Sequence, residues 1–231
     1  MADQEPQAKP TPSLNLPKGD NTVEVHIINT TTDIVVPAWA FVQPVQKGHE
    51  TMNMPTFAFL IENKKLDKRF MFDLGCRKDW WNHSPAAHAS IKNGIPGLKI
   101  DKSINEVLKE GGVDDTRING VVWSHWHWDH TGDISLFPTS ADLYVGPGFK
   151  EAFMPGYPGK KDSPMLESDF KGRNVHEVSF DPSKKIGDFP YFDVFGDGSF
   201  YLLDVPGVRS TPQTQHNPAQ PTPLTPPPST P

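Results

Sequence analysis

Residues 124–132 read Ser124-His125-Trp126-His127-Trp128-Asp129-His130-Thr131-Gly132, which places three histidines and one aspartate within six residues. In an extended segment, side chains two positions apart share a face, so the imidazoles of His125 and His127 can reach one metal ion. Asp129 and His130 follow, and a bend would offer their carboxylate and imidazole to a second ion ~3.5–4 Å away. Nitrogen and oxygen donors favour zinc, with iron or manganese as alternatives. The other interpretation is a solvent-facing, histidine-rich loop that binds no metal.

The elements predicted around this motif alternate between strands and helix, which indicates an α/β fold. The apolar run 118–124 predicts a buried strand whose carboxyl end carries the histidines, where α/β folds place their sites. A capping box at Ser103 and Glu106, with Gly111 after it, predicts a short amphipathic helix. The other predicted strands are 23–28, 56–61, 69–74, 142–145, 191–195 and 200–205. The charged link 62–65 predicts a hairpin turn between the second and third of these strands.

Composition predicts one folded domain with irregular extensions. The 231 residues are only 35% apolar and include 25 prolines, which are too many to fit inside regular elements. We expect a disordered lead over 1–21, a folded domain over 22–207 and a proline-rich, disordered tail over 208–231. The last 22 residues contain eight prolines and no Asp, Glu, Lys or Arg, which favours this tail.

Charge and cysteine content restrict the location and the partners. A net charge of -6 gives no electrostatic reason for nucleic acid to bind. The sequence shows neither a secretory signal nor a run of ~18 apolar residues that could cross a membrane. A single cysteine, Cys76, suits a reducing compartment, so we expect a cytoplasmic protein that binds neither nucleic acid nor membrane. The oligomeric state is left open.

The motif resembles the HxHxDH signature of the metallo-β-lactamase superfamily. Phe72-Asp73-Leu74-Gly75 is similar to the upstream aspartate motif of the same family, and the resemblance covers roughly residues 22–207. The loop after Asp73, with its Trp80-Trp81 pair, looks closest to the acyl-homoserine-lactonase-like branch and to fungal lactam-opening relatives. The resemblance implies an αββα sandwich.

The same resemblance implies a site and a reaction. His125 and His127 would bind one zinc, Asp129 and His130 would bind a second, and Asp73 would brace the ligand loop. A metal-bound hydroxide would open a lactam or a lactone, with Asp129 as the catalytic residue that orients the nucleophile or passes a proton to the leaving group. Two alternatives stay open: a thioester hydrolase of the glyoxalase II kind, and a catalytically inactive remnant.

The sequence departs from the family pattern at Val208. Relatives carry a histidine after a Pro-Gly pair, whereas this chain reads Pro206-Gly207-Val208, and it lacks the bridging aspartate and the last histidine. His216 lies in the proline-rich segment and is not expected to bind metal. We therefore expect a truncated gene product with an incomplete second half of the sandwich and reduced zinc binding.

Three further residues have competing interpretations. A lone cysteine after a strand, here Cys76, is more often a small buried apolar group than a nucleophile. His83 and His88 follow the Trp80-Trp81 pair, where they could line a substrate pocket. Surface or packing roles are favoured for both histidines.

Overall fold

The computed structural model describes residues 13–205. The predicted tail from 208 onward, including His216, and the first twelve residues of the predicted lead lie outside the described residues. The strands are β1 (Glu24–Asn29), β2 (Thr32–Pro37), β3 (Thr51–Asn53), β4 (Phe57–Asn63), β5 (Lys68–Phe72), β6 (Gly97–Ile100), β7 (Gly120–Val122), β8 (Asp142–Val145), β9 (Val175–Glu177), β10 (Lys185–Ile186), β11 (Phe189–Asp193) and β12 (Tyr201–Leu203). The α-helices are α1 (Pro85–Gly94), α2 (Ile104–Glu110), α3 (Trp128–Thr131), α4 (Phe149–Phe153) and α5 (Glu167–Phe170).

The largest sheet has six strands in the order β1-β4-β5-β7-β8-β9. Strands β1, β4 and β5 are antiparallel neighbours, whereas β5, β7, β8 and β9 run parallel. The carboxyl ends of the parallel strands therefore meet at one edge of the sheet. Asp73 follows β5 and the histidine motif follows β7, so the topology brings these two segments together.

The period-two alternation of the central strands sorts their side chains between two layers. Leu60, Met71 and Val121 are buried in a core that includes residues of α2, α4 and α5. Their chain neighbours Ile61, Phe70 and Val122 form a separate core with residues near and within the small sheet β10-β11-β12. The described residues thus form a helix layer, a large sheet and a small sheet.

A third sheet, β3-β2-β6, encloses a smaller core beside the motif. Ile34, Val36 and Cys76 are buried there, and Trp128 of the motif packs against them. Cys76 is 4% exposed, and burial raises the pKa of its thiol to about 12. The prediction that Cys76 is a small buried residue is therefore confirmed.

Several predicted elements are confirmed and others differ in extent. The hairpin β4–β5 and the capping box that starts α2 are present. The predicted strand 118–124 is shorter than expected, since β7 has three residues and the chain then turns into the motif. The predicted strand 191–195 begins two residues earlier, at Phe189. Strands β2, β3, β6, β9 and β10 and helices α1, α3, α4 and α5 were not predicted, and α3 replaces the bend expected at Asp129 and His130 with a helical turn.

Candidate metal centre

The motif loop is attached to the loop after β5. The backbone N–H of Leu74 donates to the carbonyl of His130 over 2.8 Å, and Gly75 pairs with Thr131 as a parallel bridge. Gly132 has φ +53°, and a Cβ there would lie 2.5 Å from the Cβ of Leu74. Glycine therefore allows both the left-handed turn and the close approach of the two loops.

Asp73 is the centre of a short chain of hydrogen bonds. Its carboxylate is buried and accepts from the Ser124 backbone N–H over 2.8 Å and from the Ser124 hydroxyl over 2.7 Å. It also accepts from His130 Nδ1 over 2.7 Å. Because the hydroxyl of Ser124 already donates to Asp73, it accepts from His125 Nδ1, which lies 3.0 Å away.

These hydrogen bonds determine the tautomers of two imidazole rings, those of His125 and His130. With the hydrogen of each ring on Nδ1, the Nε2 atoms of His125 and His130 keep their lone pairs, which is the form that binds a metal ion. A carboxylate behind a ligand histidine is the usual way in which proteins fix such a ring. The donor chemistry of this loop, neutral imidazole with a neighbouring carboxylate, therefore suits a metal ion such as zinc.

The four predicted ligands lie in one group. The ring centre of His125 is 4.6 Å from that of His127 and 4.1 Å from that of His130. His130 Nε2 and Asp129 Oδ2 are 3.5 Å apart. The structure thus places three imidazoles and one carboxylate side by side, and their roles as metal ligands remain a prediction.

Burial and mutual repulsion control the charge of the imidazoles. Burial, together with the neighbouring His130 and His127, lowers the pKa of His125 to about 4. Burial also lowers the pKa of His127. Burial acts in the same direction on His130, but the hydrogen bond and the charge of Asp73 outweigh it and raise the pKa of His130. His125 and His127 are therefore neutral at pH 7, as metal ligands must be.

A cavity of about 890 Å³ opens beside the motif. Its lining comes from the motif, from helix α1 and the residue His83 before it, from helix α4 and from the segment 160–165. The lining residues are His83, Ala86, Ala87, Ser90, Trp126, His127, Trp128, Asp129, Gly148, Glu151, Ala152, Phe153, Lys160, Asp162, Pro164 and Met165. A second cavity of about 460 Å³, on the side of His125, is lined by Tyr144 and Tyr201 among others. The candidate ligands thus lie between two cavities.

Arg77 holds together the loops around the motif, a role that sequence reasoning missed. Its guanidinium binds Asp79 through Nε at 2.6 Å and through a terminal nitrogen at 3.1 Å. The same group lies 3.2 Å from a carboxylate oxygen of Asp133, directly after the motif. The local sequence Arg77-Lys78-Asp79 does not predict the contact with Asp133, because Asp133 is distant in sequence.

A second group of potential metal donors lies on strands β1 and β4 of the large sheet. Donor atoms of Glu24, His26 and Glu62 are all within 4.8 Å of one another. Lys64 pairs with Glu24, and Arg69 pairs with Glu62 over 2.7 Å. Both carboxylates are therefore already neutralised, and we assign no metal site to this group.

The layered arrangement and the loop of histidines at the carboxyl ends of parallel strands define an α/β protein with a candidate metal centre. Residues 53–219 match the profile of the metallo-beta-lactamase superfamily, and the chain belongs to this superfamily. The family predicted from the motif and the predicted fold class are confirmed.

Two fungal relatives are similar to most of this chain. The gamma-lactamase FDB1 of Fusarium pseudograminearum is 42% identical over 203 residues, which cover 85% of this chain and 49% of that protein. The metallo-hydrolase mfmC of Annulohypoxylon moriforme is 41% identical, with 86% of this chain and 53% of that protein covered. The chain thus spans about half the length of these curated relatives.

A solved structure supports the fold. A mutant of B. thuringiensis AiiA, with N-decanoyl-L-homoserine bound at its active site, superposes with a TM-score of 0.52. The match covers 74% of this chain and 64% of that chain at 17% identity. At this identity the likeness concerns the fold alone.

Among the described residues, no helix combines the length and the apolar composition that a membrane span requires.

Proposed function

We propose that this protein is a zinc-dependent hydrolase that opens a small cyclic amide or ester, a lactam or a lactone. The observation that carries the proposal is the hydrogen-bond chain from Asp73, which engages Nδ1 of His125 and of His130 and leaves their Nε2 atoms as the ones that can bind a metal ion. These rings lie next to a cavity that His127 and Asp129 line. The similarity to a named gamma-lactamase and a named metallo-hydrolase supports the same class of reaction.

The four motif residues divide into two pairs. His125 and His127 would hold one zinc ion, and Asp129 and His130 would hold the other. Zinc, when bound, supplies an activated water at neutral pH and polarises the carbonyl that is attacked. Asp73 keeps the His130 ring in place from behind, and Ser124 does the same for His125.

Asp129 is the residue of this chain that we propose to move a proton. Its side chain is 27% exposed and it lines the large cavity, so a bound ring can reach its carboxylate. Hydrolysis breaks the C–N bond of a lactam or the C–O bond of a lactone, and the departing nitrogen or oxygen must gain a proton. Asp129 would take that proton from the attacking water and deliver it to the departing atom.

The cavity suits a compact substrate. Its volume of about 890 Å³ lies within the range of ~300–1,000 Å³ typical of small-molecule sites. Trp126, Trp128 and Phe153 contribute apolar and aromatic surface to its lining. Such walls exclude water from around the lactam or lactone ring of a substrate, whose polar atoms can then contact the motif residues.

The proposal is tested by zinc content and turnover measured on the same preparations. We compare the full chain with a His127→Ala variant and with His49→Ala, which removes an exposed histidine outside the site. Because zinc binding is expected to be reduced, we expect the full chain and H49A to retain the same amount of zinc after dialysis, below two ions per chain, and H127A to retain none. Turnover of γ-lactams or γ-lactones should follow the zinc content. Absence of zinc, or turnover of a glutathione thioester alone, would contradict the proposal.

A further inference from the structure

His83 has a side chain that the proposed function does not yet use. The residue lines the large cavity together with His127 and Asp129. Its Nε2 is buried and has no hydrogen-bond partner among the described residues. Because Nε2 is buried it is closed to a ligand, so the ring can bind one in the cavity only through its other nitrogen, Nδ1.

The backbone around His83 is firmly held on both sides. Its own N–H donates to the carbonyl of Trp80 over 3.2 Å, and Asn82 donates through Nδ2 to Asp79 over 2.8 Å. The fully buried Ser84 donates through its hydroxyl to the carbonyl of Pro164 over 2.9 Å. The backbone that carries the imidazole is thus held on both sides, while the ring has no hydrogen-bond partner among the described residues, which suits a group that binds a ligand.

The protonation state of the ring follows from its surroundings. Burial, with the nearby Arg77, lowers the pKa of His83 to about 4, so the ring is neutral at pH 7. A neutral imidazole has one N–H donor and one acceptor. An unpaired buried N–H is less tolerated than an unpaired acceptor, which favours Nε2 as the acceptor and Nδ1 as the N–H. Nδ1 has no hydrogen-bond partner among residues 13–205 and, unlike Nε2, it is not fully buried.

We propose that His83 is a substrate-binding residue of this cavity, which donates a hydrogen bond from Nδ1 to a carbonyl oxygen or ring heteroatom of a cyclic amide or ester. This inference rests on the proposed function and adds to it, since it assigns a recognition role outside the metal motif. The hydrogen bond holds the ring in place and takes no part in the proton transfer at the departing atom.

The test compares His83→Leu, His83→Asn and His88→Leu with the full chain, all loaded with zinc. Asn places an N–H donor close to the position of Nδ1, whereas Leu has none. His88 is packed on Trp80, with ring centres 5.4 Å apart, and does not line the cavity, so H88L is the matched control. Loss of one neutral hydrogen bond corresponds to about a three- to tenfold rise in KM.

We expect H83L to show that rise with kcat within about twofold, and both H83N and H88L to stay near the full chain. Zinc content should be equal in all four proteins. Equal KM values for H83L and the full chain, or equal losses in H83L and H88L, would overturn the proposal.

A second readout separates this inference from the proposed function. In protein labelled with ¹⁵N in histidine, the Nδ1–H signal that H83L lacks should shift when 2-pyrrolidinone, a simple lactam, is added. Such a shift in a protein without turnover would support the His83 site while the proposed function fails. Turnover of lactams with no shift at any ligand concentration would overturn the His83 site alone.

Discussion

At the scale of single residues, Asp73 determines what the motif can do. The residue sits just beyond β5 with φ +57°, an uncommon conformation for a non-glycine residue that Asp and Asn tolerate best. From that position its buried carboxylate contacts both Ser124 and His130. One strained residue thus fixes the tautomers of two candidate ligands that are more than fifty positions away in sequence.

The first prediction concerns Asp73→Asn. Asn tolerates the same backbone conformation, but its amide offers one acceptor oxygen in place of two. In Asp73, Oδ1 accepts from the Ser124 backbone N–H, and Oδ2 accepts from the Ser124 hydroxyl and from His130. We expect zinc affinity to fall about 10- to 100-fold, as is typical when the partner behind a ligand histidine is lost. Competition with a chromophoric chelator measures this affinity. Asp33→Asn, at an exposed position of β2, is the control, and equal affinities of the two variants would contradict the role assigned to Asp73.

The second prediction concerns the pH dependence of stability through Asp169. Burial raises the pKa of this carboxyl to about 6, above its ordinary value of 3.8. Between about pH 4 and pH 6 the folded state therefore binds more protons than the unfolded state, and this contribution to stability is lost as the pH rises through that window.

Urea unfolding at a series of pH values measures this contribution. The difference in unfolding free energy between the full chain and Asp169→Asn should fall from about pH 4 to pH 6 and then level off. Asp188→Asn removes an exposed carboxylate and is the control, because its effect on the unfolding free energy should not depend on burial. A difference that stays constant with pH for D169N would show that Asp169 does not retain its proton in the folded protein.

At the scale of helices and strands, helix α2 shows how a local signal fixes an element. Ser103 accepts from the backbone N–H of Glu106, and the Glu106 side chain accepts in return from the backbone N–H of Ser103. Ile104 and Leu108 of this helix are buried against the large sheet. The cap sets where the helix begins, and the apolar face sets how it packs.

We expect Ser103→Ala to lower the unfolding free energy by about 0.5–2 kcal/mol, because it removes the acceptor that caps the helix. Ser103→Asp keeps an acceptor at this position and should stay close to the full chain. Urea unfolding followed by circular dichroism gives both values. If S103A and S103D were equally stable, the cap would not contribute to the fold.

A fourth prediction concerns the turn that ends the motif. Gly132→Ala forces an alanine into a left-handed conformation and brings its Cβ against Leu74. We expect a loss of more than about 1 kcal/mol in unfolding free energy, together with weaker zinc binding, because the two loops must separate. Gly48→Ala is a fair comparison, since Gly48 also has a positive φ but meets no atom within 4 Å. Similar losses for both variants would mean that the contact with Leu74 is unimportant.

The elements that could be predicted from sequence carry their signal locally. The β4–β5 hairpin has apolar runs on both sides of a charged turn, and α2 has a complete capping box. Helix α1 was missed although Ser84 and Pro85 are typical of a helix start, because its sequence is too polar for a clear apolar face. Strand β9 has three residues and exists only because it pairs with β8. The cavity, with His83 in its wall, and the contact of Arg77 with Asp133 depend on residues distant in sequence, which no local pattern encodes.

At the scale of the whole molecule, the central strands of the large sheet are more buried than its edge strand β1. Its central strands contribute buried residues to a helix-side core and to a core on the side of the small sheet. Among residues 13–205, strand β1 lies at the edge of the same sheet, and its Val25 and Ile27 are 55% and 70% exposed. An edge strand with unpaired backbone groups and exposed apolar side chains favours pairing with another chain.

The last prediction follows from this edge. We expect the protein to self-associate at rising concentration and Ile27→Lys to reduce that association, because a lysine on an edge strand opposes strand pairing by desolvation and by charge repulsion. Leu66→Lys makes the same chemical change at a 41% exposed residue of the β4–β5 turn, away from the edge strand, and should leave association unchanged. Sedimentation velocity over a hundredfold range of concentration distinguishes the three proteins. An unchanged sedimentation profile for I27K, or an equal effect of L66K, would exclude β1 as the surface through which the chains associate.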